Sequence, residues 1–316
     1  MSRYPKNYIY YPFNYFEPYK IKVENKNYTM HKVRFNTLYE LYEVLKSNPK
    51  TNSKFDELSS LTGSSDFAGK PYEEAVEDLI QESNYNYNEF LRLQKGLTSA
   101  QKRKVHEFKT VKTVGGGQIH IPSYSAGMPL CYETEERISK PRFIRIHSNI
   151  CYNCITTKKQ VLHKAIITVN LIKALENAHY NVDLNLFELS QEYNELAYFI
   201  IQAKKHGRRI SMDTLYKTSC NVEFLRRILF RILETTDVRN DWADGYGTTC
   251  SDDFTKKVLN ISKNDILLPQ PSDMGIGGKK LAKDFVNAIE YLGLEDKFDV
   301  ERVKNEFTKE ARVLKI

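Results

Sequence analysis

The change of apolar period after residue 140 constrains this chain more than any other feature. Residues 143–150 have strand character. Val161, Leu162, Ala165, Ile166, Val169, Ile172 and Leu175 make a broad helical face, and Val182, Leu184 and Leu186 then alternate with polar positions. Strand, long helix, strand is a crossover unit, which implies a parallel pair. Further strands over 196–203 and 266–268 continue the pattern, with helices built on Val222, Leu225, Ile228, Leu229 and Ile232 and on Leu281, Phe285 and Ile289. The expectation is an α/β fold in which residues 140–316 form a Rossmann-like three-layer domain. The first of those helices should turn Arg226, Arg227 and Arg231 mostly away from the core.

The amino-terminal half reads differently. Pro5, Pro12 and Pro18 disfavour helix up to about Tyr28 and suit an extended arm or irregular strands. Leu38, Leu41, Tyr42 and Leu45 have helical spacing behind a capping Thr37 or Asn36. Pro71, Glu73 and Glu74 open a helix that points Ala75, Val76, Leu79 and Ile80 inward. Other helices are expected around Phe90 and from Ser99. Residues 1–130 are thus read as an arm and a mainly helical recognition region, ending in a turn-rich connection from Gly115 to Pro129.

A hydrophobic content of 41% is enough for a core, and the net charge of +7 favours an acidic partner surface or nucleic acid. The charge has one focus. Between Arg92 and Lys112 stand Lys95, Lys102, Arg103, Lys104, Lys109 and Lys112 against Glu107 alone. A basic helix of this kind binds phosphate or an acidic protein, or is simply solvated. Lys204, Lys205, Arg208 and Arg209 make a smaller second set. Five cysteines, irregularly spaced, and no apolar run of membrane-spanning length predict a reducing compartment and no membrane partner.

Motifs that carry chemistry are incomplete. Gly275-Ile-Gly277-Gly278-Lys279-Lys280 follows a strand and opens a helix, so its backbone amides suit an anion. It is not a Walker A loop, because Asp273 replaces the first glycine and Lys280 the magnesium-binding hydroxyl. Cys151 and Cys154 have dithiol spacing between strand and helix, but no proline lies between Pro141 and Pro269 to face them as in a thioredoxin-like site. Zinc at that pair needs two more ligands from Cys131, His147, Cys220 or Cys250. Asp237, Asp241, Asp244, Asp252 and Asp253 around Trp242 have oxygens for a divalent ion without EF-hand spacing. Ser148 beside His147 lacks a nucleophile elbow. The reading is no catalytic constellation, no cofactor, and an open question at the metal positions.

Three segments resemble an uncharacterised family of tailed-bacteriophage proteins: Asp66-Phe-Ala-Gly-Lys-Pro-Tyr-Glu-Glu-Ala75, Gly117-Gln-Ile-His-Ile-Pro-Ser-Tyr-Ser-Ala-Gly-Met-Pro-Leu130 and Phe224-Leu-Arg-Arg-Ile-Leu-Phe-Arg-Ile-Leu-Glu234. The resemblance implies a phage origin and carries no activity. The carboxy-terminal half also resembles a von Willebrand factor A type domain, through the strand at 143–150, the helix at 158–177 and the strand at 182–189. That family's metal site begins Asp-x-Ser-x-Ser, where this chain has His147-Ser148-Asn149-Ile150-Cys151, so the resemblance implies a degenerate site.

The functional expectation is a phage-encoded binding protein without catalytic activity. It would act on a host or phage protein in the host cytoplasm, as in counter-defence, or as part of the virion. The alternatives are a nucleic-acid-binding protein using the basic helix and an enzyme using the acidic loop with a divalent ion.

Overall fold

The computed structural model describes residues 18–47, 59–81, 108–137, 142–152, 156–177, 180–208, 221–235, 248–262 and 265–268, with isolated positions elsewhere between 218 and 305. Two strands come first, β1 (Tyr19–Val23) and β2 (Lys26–Phe35), paired antiparallel. Their turn residues Glu24 and Asn25 take φ of 47° and 71°, the left-handed pair whose twist matches a two-residue hairpin. α1 (Leu38–Lys46) starts where the Thr37 hydroxyl accepts the Glu40 amide at 3.0 Å, and it buries the four apolar residues that its spacing predicts. Short helices α2 (Ser59–Thr62), α3 (Ser65–Ala68) and α4 (Tyr72–Glu77) follow. α4 buries Ala75 and Val76 but stops before Ile80, which is exposed instead of inward.

The next unit is a small antiparallel sheet of β3 (Phe108–Thr113), β4 (Gln118–Ile119) and β5 (Tyr132–Arg137), with α5 (Ile121–Ser125) between β4 and β5. Then come β6 (Arg142–Asn149), α6 (Lys158–Asn177), β7 (Tyr180–Glu192) and β8 (Glu195–Lys204). A π-helical segment, Phe224–Leu229, runs into α7 (Phe230–Thr235), and β9 (Thr248–Thr249), α8 (Asp252–Leu259) and β10 (Ile266–Leu268) complete the described elements.

The large sheet is mixed, in the order β1-β2-β8-β7-β6-β10, with β9 beside β7. β6 and β7 are the parallel pair required by the crossover, in register from Arg142 opposite Tyr180 to Asn149 opposite Phe187. β10 runs parallel to β6, β7 and β8 form a hairpin, and β2 lies parallel to β8. The amino-terminal region, residues 1–130, expected to be mainly helical, therefore supplies two strands here and two of the three in the small sheet. β2 was hard to see because it is buried on both faces: Tyr28 and Met30 enter one core, Val33 and Phe35 the other, which erases a clean alternation.

Those cores lie on opposite faces of the sheet. The larger packs α1, α4, α6, the π-helical segment and α7 against Ile146, Val182, Leu184, Leu186, Phe199 and Ile201. The smaller packs Phe254, Val258 and Leu259 of α8 onto Phe187, Leu189 and Tyr198. Helices on both sides match the coarse α/β expectation.

The arginines expected to face outward are buried. Arg226, Arg227 and Arg231 are each less than 5% exposed, because the helix carrying them is covered on its second side by residues 59–79. Arg231 lies 3.6 Å from the Glu234 carboxylate, and the charges of the other two are met by backbone oxygens. The Arg227 guanidinium donates to the carbonyls of Lys70, Ser60 and Gly63 at 2.8, 2.9 and 2.8 Å, and Arg226 donates to the Phe67 carbonyl while stacking 4.1 Å from that ring. Glu234 accepts from the Ser60 amide at 3.0 Å. Gly69, at φ 74°, passes so close to Glu223 that any Cβ would collide with its carboxylate. Two of the three segments that resemble the phage family thus meet, residues 66–75 against 224–234.

Arg227→Met is expected to lower unfolding free energy by about 3 kcal/mol, since it strands three carbonyls that have lost their charged donor. Urea denaturation measures this, and a change within about 0.5 kcal/mol, as for an exposed residue, would contradict the packing described.

Candidate functional site

β5 is the centre of the small sheet and is acidic, with Glu133, Glu135 and Glu136. Its register sets Lys109 opposite Glu136 and Lys112 opposite Glu133. These two lysines thus stand on a strand, where a helix was expected. The Lys112 ammonium donates to the Ser123 hydroxyl at 3.0 Å, so it holds α5 against β3. Lys95, Lys102, Arg103 and Lys104 lie outside the described residues, as do Gly277, Gly278, Lys279 and Lys280.

The chain between β3 and β5 is tied down by polar contacts. The His120 amide donates to the Cys131 carbonyl at 2.8 Å, the Met128 amide to the Ser123 carbonyl at 3.0 Å, and His120 Nδ1 lies 2.7 Å from the Ser123 hydroxyl. Gly117, at φ 83°, runs against the Glu133 backbone where no side chain fits. Fixed in this way, the segment presents Val114, Ile119, Ile121, Tyr124, Met128 and Leu130 outward. Ile121 is 71% exposed and Tyr124 62%. Six large apolar residues within one short stretch exceed the scattered exposure that is ordinary on a soluble surface.

A second feature is a buried polar cluster at the carboxyl ends of β6 and β7. Glu188 takes the next inward position after Val182, Leu184 and Leu186, so the alternation of β7 delivers a carboxyl into the face packed by α6. It is 1% exposed, and the Cys151 thiol lies 3.6 Å from its Oε1. Burial raises the Glu188 carboxyl to about 7, opposed in part by hydrogen bonding from Cys151 and Ser190. Burial, reinforced by Glu188, pushes the Cys151 thiol well above its ordinary range, with Lys164 working the other way. A thiol held protonated is the reverse of the activated cysteine that a dithiol reductase needs. Glu188 could have been found by continuing the two-residue period one step further.

The other sequence candidates are placed as follows. Cys154, Cys220, Asp237, Asp241, Asp244 and Trp242 lie outside the described residues, and Asp252 and Asp253 form the first turn of α8. Among the described residues no group of three His, Cys, Asp or Glu side chains is set to hold a metal ion. Lys204, expected in a basic set open to phosphate, is 4% exposed, donates to the Val182 carbonyl at 3.1 Å and pairs with Glu176 at 2.7 Å. The end of β8 is turned inward, and that lysine is used within the fold. Lys205 and Arg208 are exposed. No helix among the described residues is long and apolar enough to cross a membrane.

The carboxyl of Glu188 fixes a pH dependence. Its folded value of about 7 lies above the ordinary 4.5, so the folded state holds a proton that the unfolded chain releases. Stability from this group is fully present below about pH 4.5 and is lost as pH rises through about 7, by roughly 3 kcal/mol in total. Glu188→Gln is expected to flatten that decline in urea-unfolding measurements from pH 5 to 8. An unchanged slope would contradict it.

No curated protein and no solved structure matches the chain. A family described as Domain of unknown function (DUF7192) matches residues 20–296, a span that runs from β1 past β10. With most of its length inside that match, the chain belongs to this family.

Proposed function

We propose that this chain is a phage-encoded binding protein without catalytic activity, whose recognition surface is the 108–137 unit and whose partner is a host or phage protein. The observation that carries the reading is the exposed apolar set Val114, Ile119, Ile121, Tyr124, Met128 and Leu130 on a polar-anchored loop. Aromatic and Met side chains are enriched at interface centres, and the acidic β5 beside them supplies a polar rim. This segment includes the resemblance stretch from Gly117 to Leu130, which supports the phage reading. The host cytoplasm and the virion are both settings for such a partner, counter-defence belonging to the first.

The large sheet serves as scaffold. Its order β8-β7-β6-β10, with a helical crossover between β6 and β7 and an antiparallel β8, supports a Rossmann-like reading and the degenerate von Willebrand A type within it. His147 at the position of that family's leading Asp argues against carrying over its metal-dependent adhesion.

Replacing Ile121 with Asp and Tyr124 with Ser should reduce partner recovery from infected cells at least tenfold, while thermal stability stays within the range of surface substitutions, about 0.5 kcal/mol. Quantitative co-purification of both forms decides it. Equal recovery of the same partner by the variant would reject this surface.

A further inference from the structure

α8 crosses one face of the large sheet from β7 towards the β1–β2 turn. It starts beside β7, where Thr249 and Thr248 pair with Ser190 and Gln191, the Cys250 amide donates to the Leu189 carbonyl at 3.3 Å, and the Ser251 hydroxyl caps the helix. In its last turn Lys257 pairs with Glu24 of the hairpin. Between these two ends the helix leaves a cavity of about 300 Å³, at the small end of the range for ligand sites, with exposed residues at its rim.

The floor is apolar. Val23, Tyr28 and Cys250, all buried residues, line it together with Phe254, whose ring meets Tyr28 edge-on at 5.5 Å. The first three belong to the smaller core and Phe254 packs against it, so the cavity is an opening into that core. Apolar surface that water can reach gains free energy on being covered.

The rim is polar and carries one surplus positive charge. Of the two charged residues that line the cavity, Glu24 is committed to Lys257, which stands outside it. The exposed Lys26 has no ion-pair partner among the described residues, so its ammonium is the charge left to the cavity. Thr249 and Ser251 add hydroxyls at the same opening. The Ser251 oxygen accepts from the Phe254 amide at 3.4 Å, which leaves its proton to donate. Asp252 and Asp253, in the first turn of α8, do not line the cavity.

We propose that this cavity binds a small carboxylic acid with a compact apolar body, its carboxylate at Lys26 and the Thr249 and Ser251 hydroxyls, its ring or branched chain on Val23, Tyr28, Cys250 and Phe254. The occupant must be apolar where the floor is apolar and anionic at the rim. An amine of the same shape brings a second positive charge beside Lys26, a neutral alcohol forgoes the charge-assisted hydrogen bond, and a sugar phosphate lacks the apolar body. A free acid and the carboxyl-terminal residue of a peptide share this chemistry. The site shares no residue with the 108–137 surface and does not rest on the protein-binding reading.

Titration of the full chain with phenylacetate, followed by backbone amide chemical shifts, tests the proposal. A dissociation constant at or below about 1 mM is expected, the strength open to a ligand of about ten heavy atoms, with shifts centred on Val23, Tyr28, Thr249 and Cys250. Phenethylamine should bind about tenfold more weakly, the factor that one hydrogen bond to a charged group supplies. Acetyl-Gly-Gly-Phe with a free carboxylate separates the two sources: tighter binding than phenylacetate assigns the site to a chain end, weaker binding to a free acid. Lys26→Gln, at an exposed position, should weaken phenylacetate by the same factor, and Lys26→Glu should reverse the preference in favour of phenethylamine. Absence of shifts at these amides with both phenylacetate and the peptide, at about ten times the expected dissociation constant, would overturn the site. So would equal affinity for the acid and the amine, or unchanged phenylacetate binding by Lys26→Gln.

Discussion

The parallel pairing of β2 with β8 is the constraint on which the remaining arrangement depends. It joins Thr29–Phe35 to Glu195–Ile201, and His31 and Glu195, 164 residues apart in sequence, approach to 2.5 Å beside it. Closing so long a loop costs conformational entropy that grows only slowly with length, so an in-register pairing buried on both faces can offset it. Once β2 is fixed, β1 gains a sheet edge, and α1 is delivered onto the face where α6 packs.

Polar groups then set how the second helical side is closed. Apolar packing alone would let α2, α3 and α4 slide over the helix of residues 222–235, because dispersion contacts have little direction. Arg226 and Arg227 remove that freedom by bonding named carbonyls at Phe67, Lys70, Ser60 and Gly63. A buried guanidinium is tolerable only when its fork is filled, and here one π-helical segment places two of them against a loop rich in carbonyls. Glu188 shows the opposite case, a carboxyl that burial raises to about 7 and that the core holds protonated below neutral pH.

Much of this was legible in the sequence where one face of an element is polar. α1, α6 and the β6–α6–β7 crossover follow directly from apolar spacing, as does the strand around Leu196–Ala203. β2 was not legible, because burial on both faces removes the period on which such a reading depends. Nor were the buried arginines, since a charged residue on a helix reads as solvated until something is known to cover it. For the candidate surfaces, the residue types of 114–130 suggested turns, and only the fixed backbone shows that their apolar side chains face water. Asn185 and His147 stand side by side through the registry of β7 with β6, which no local pattern encodes.

On this account the two ends of the described chain belong to one cooperative structure. Native-state hydrogen exchange on the amides of Met30–Phe35 tests that most directly. Exchange of β2 is predicted to require the same opening free energy as β7 and β8, equal to the global unfolding value. Exchange of β2 several kcal/mol more easily, with β6, β7 and β8 still protected, would show that the amino-terminal strands are an appendage and that the sheet does not depend on their pairing.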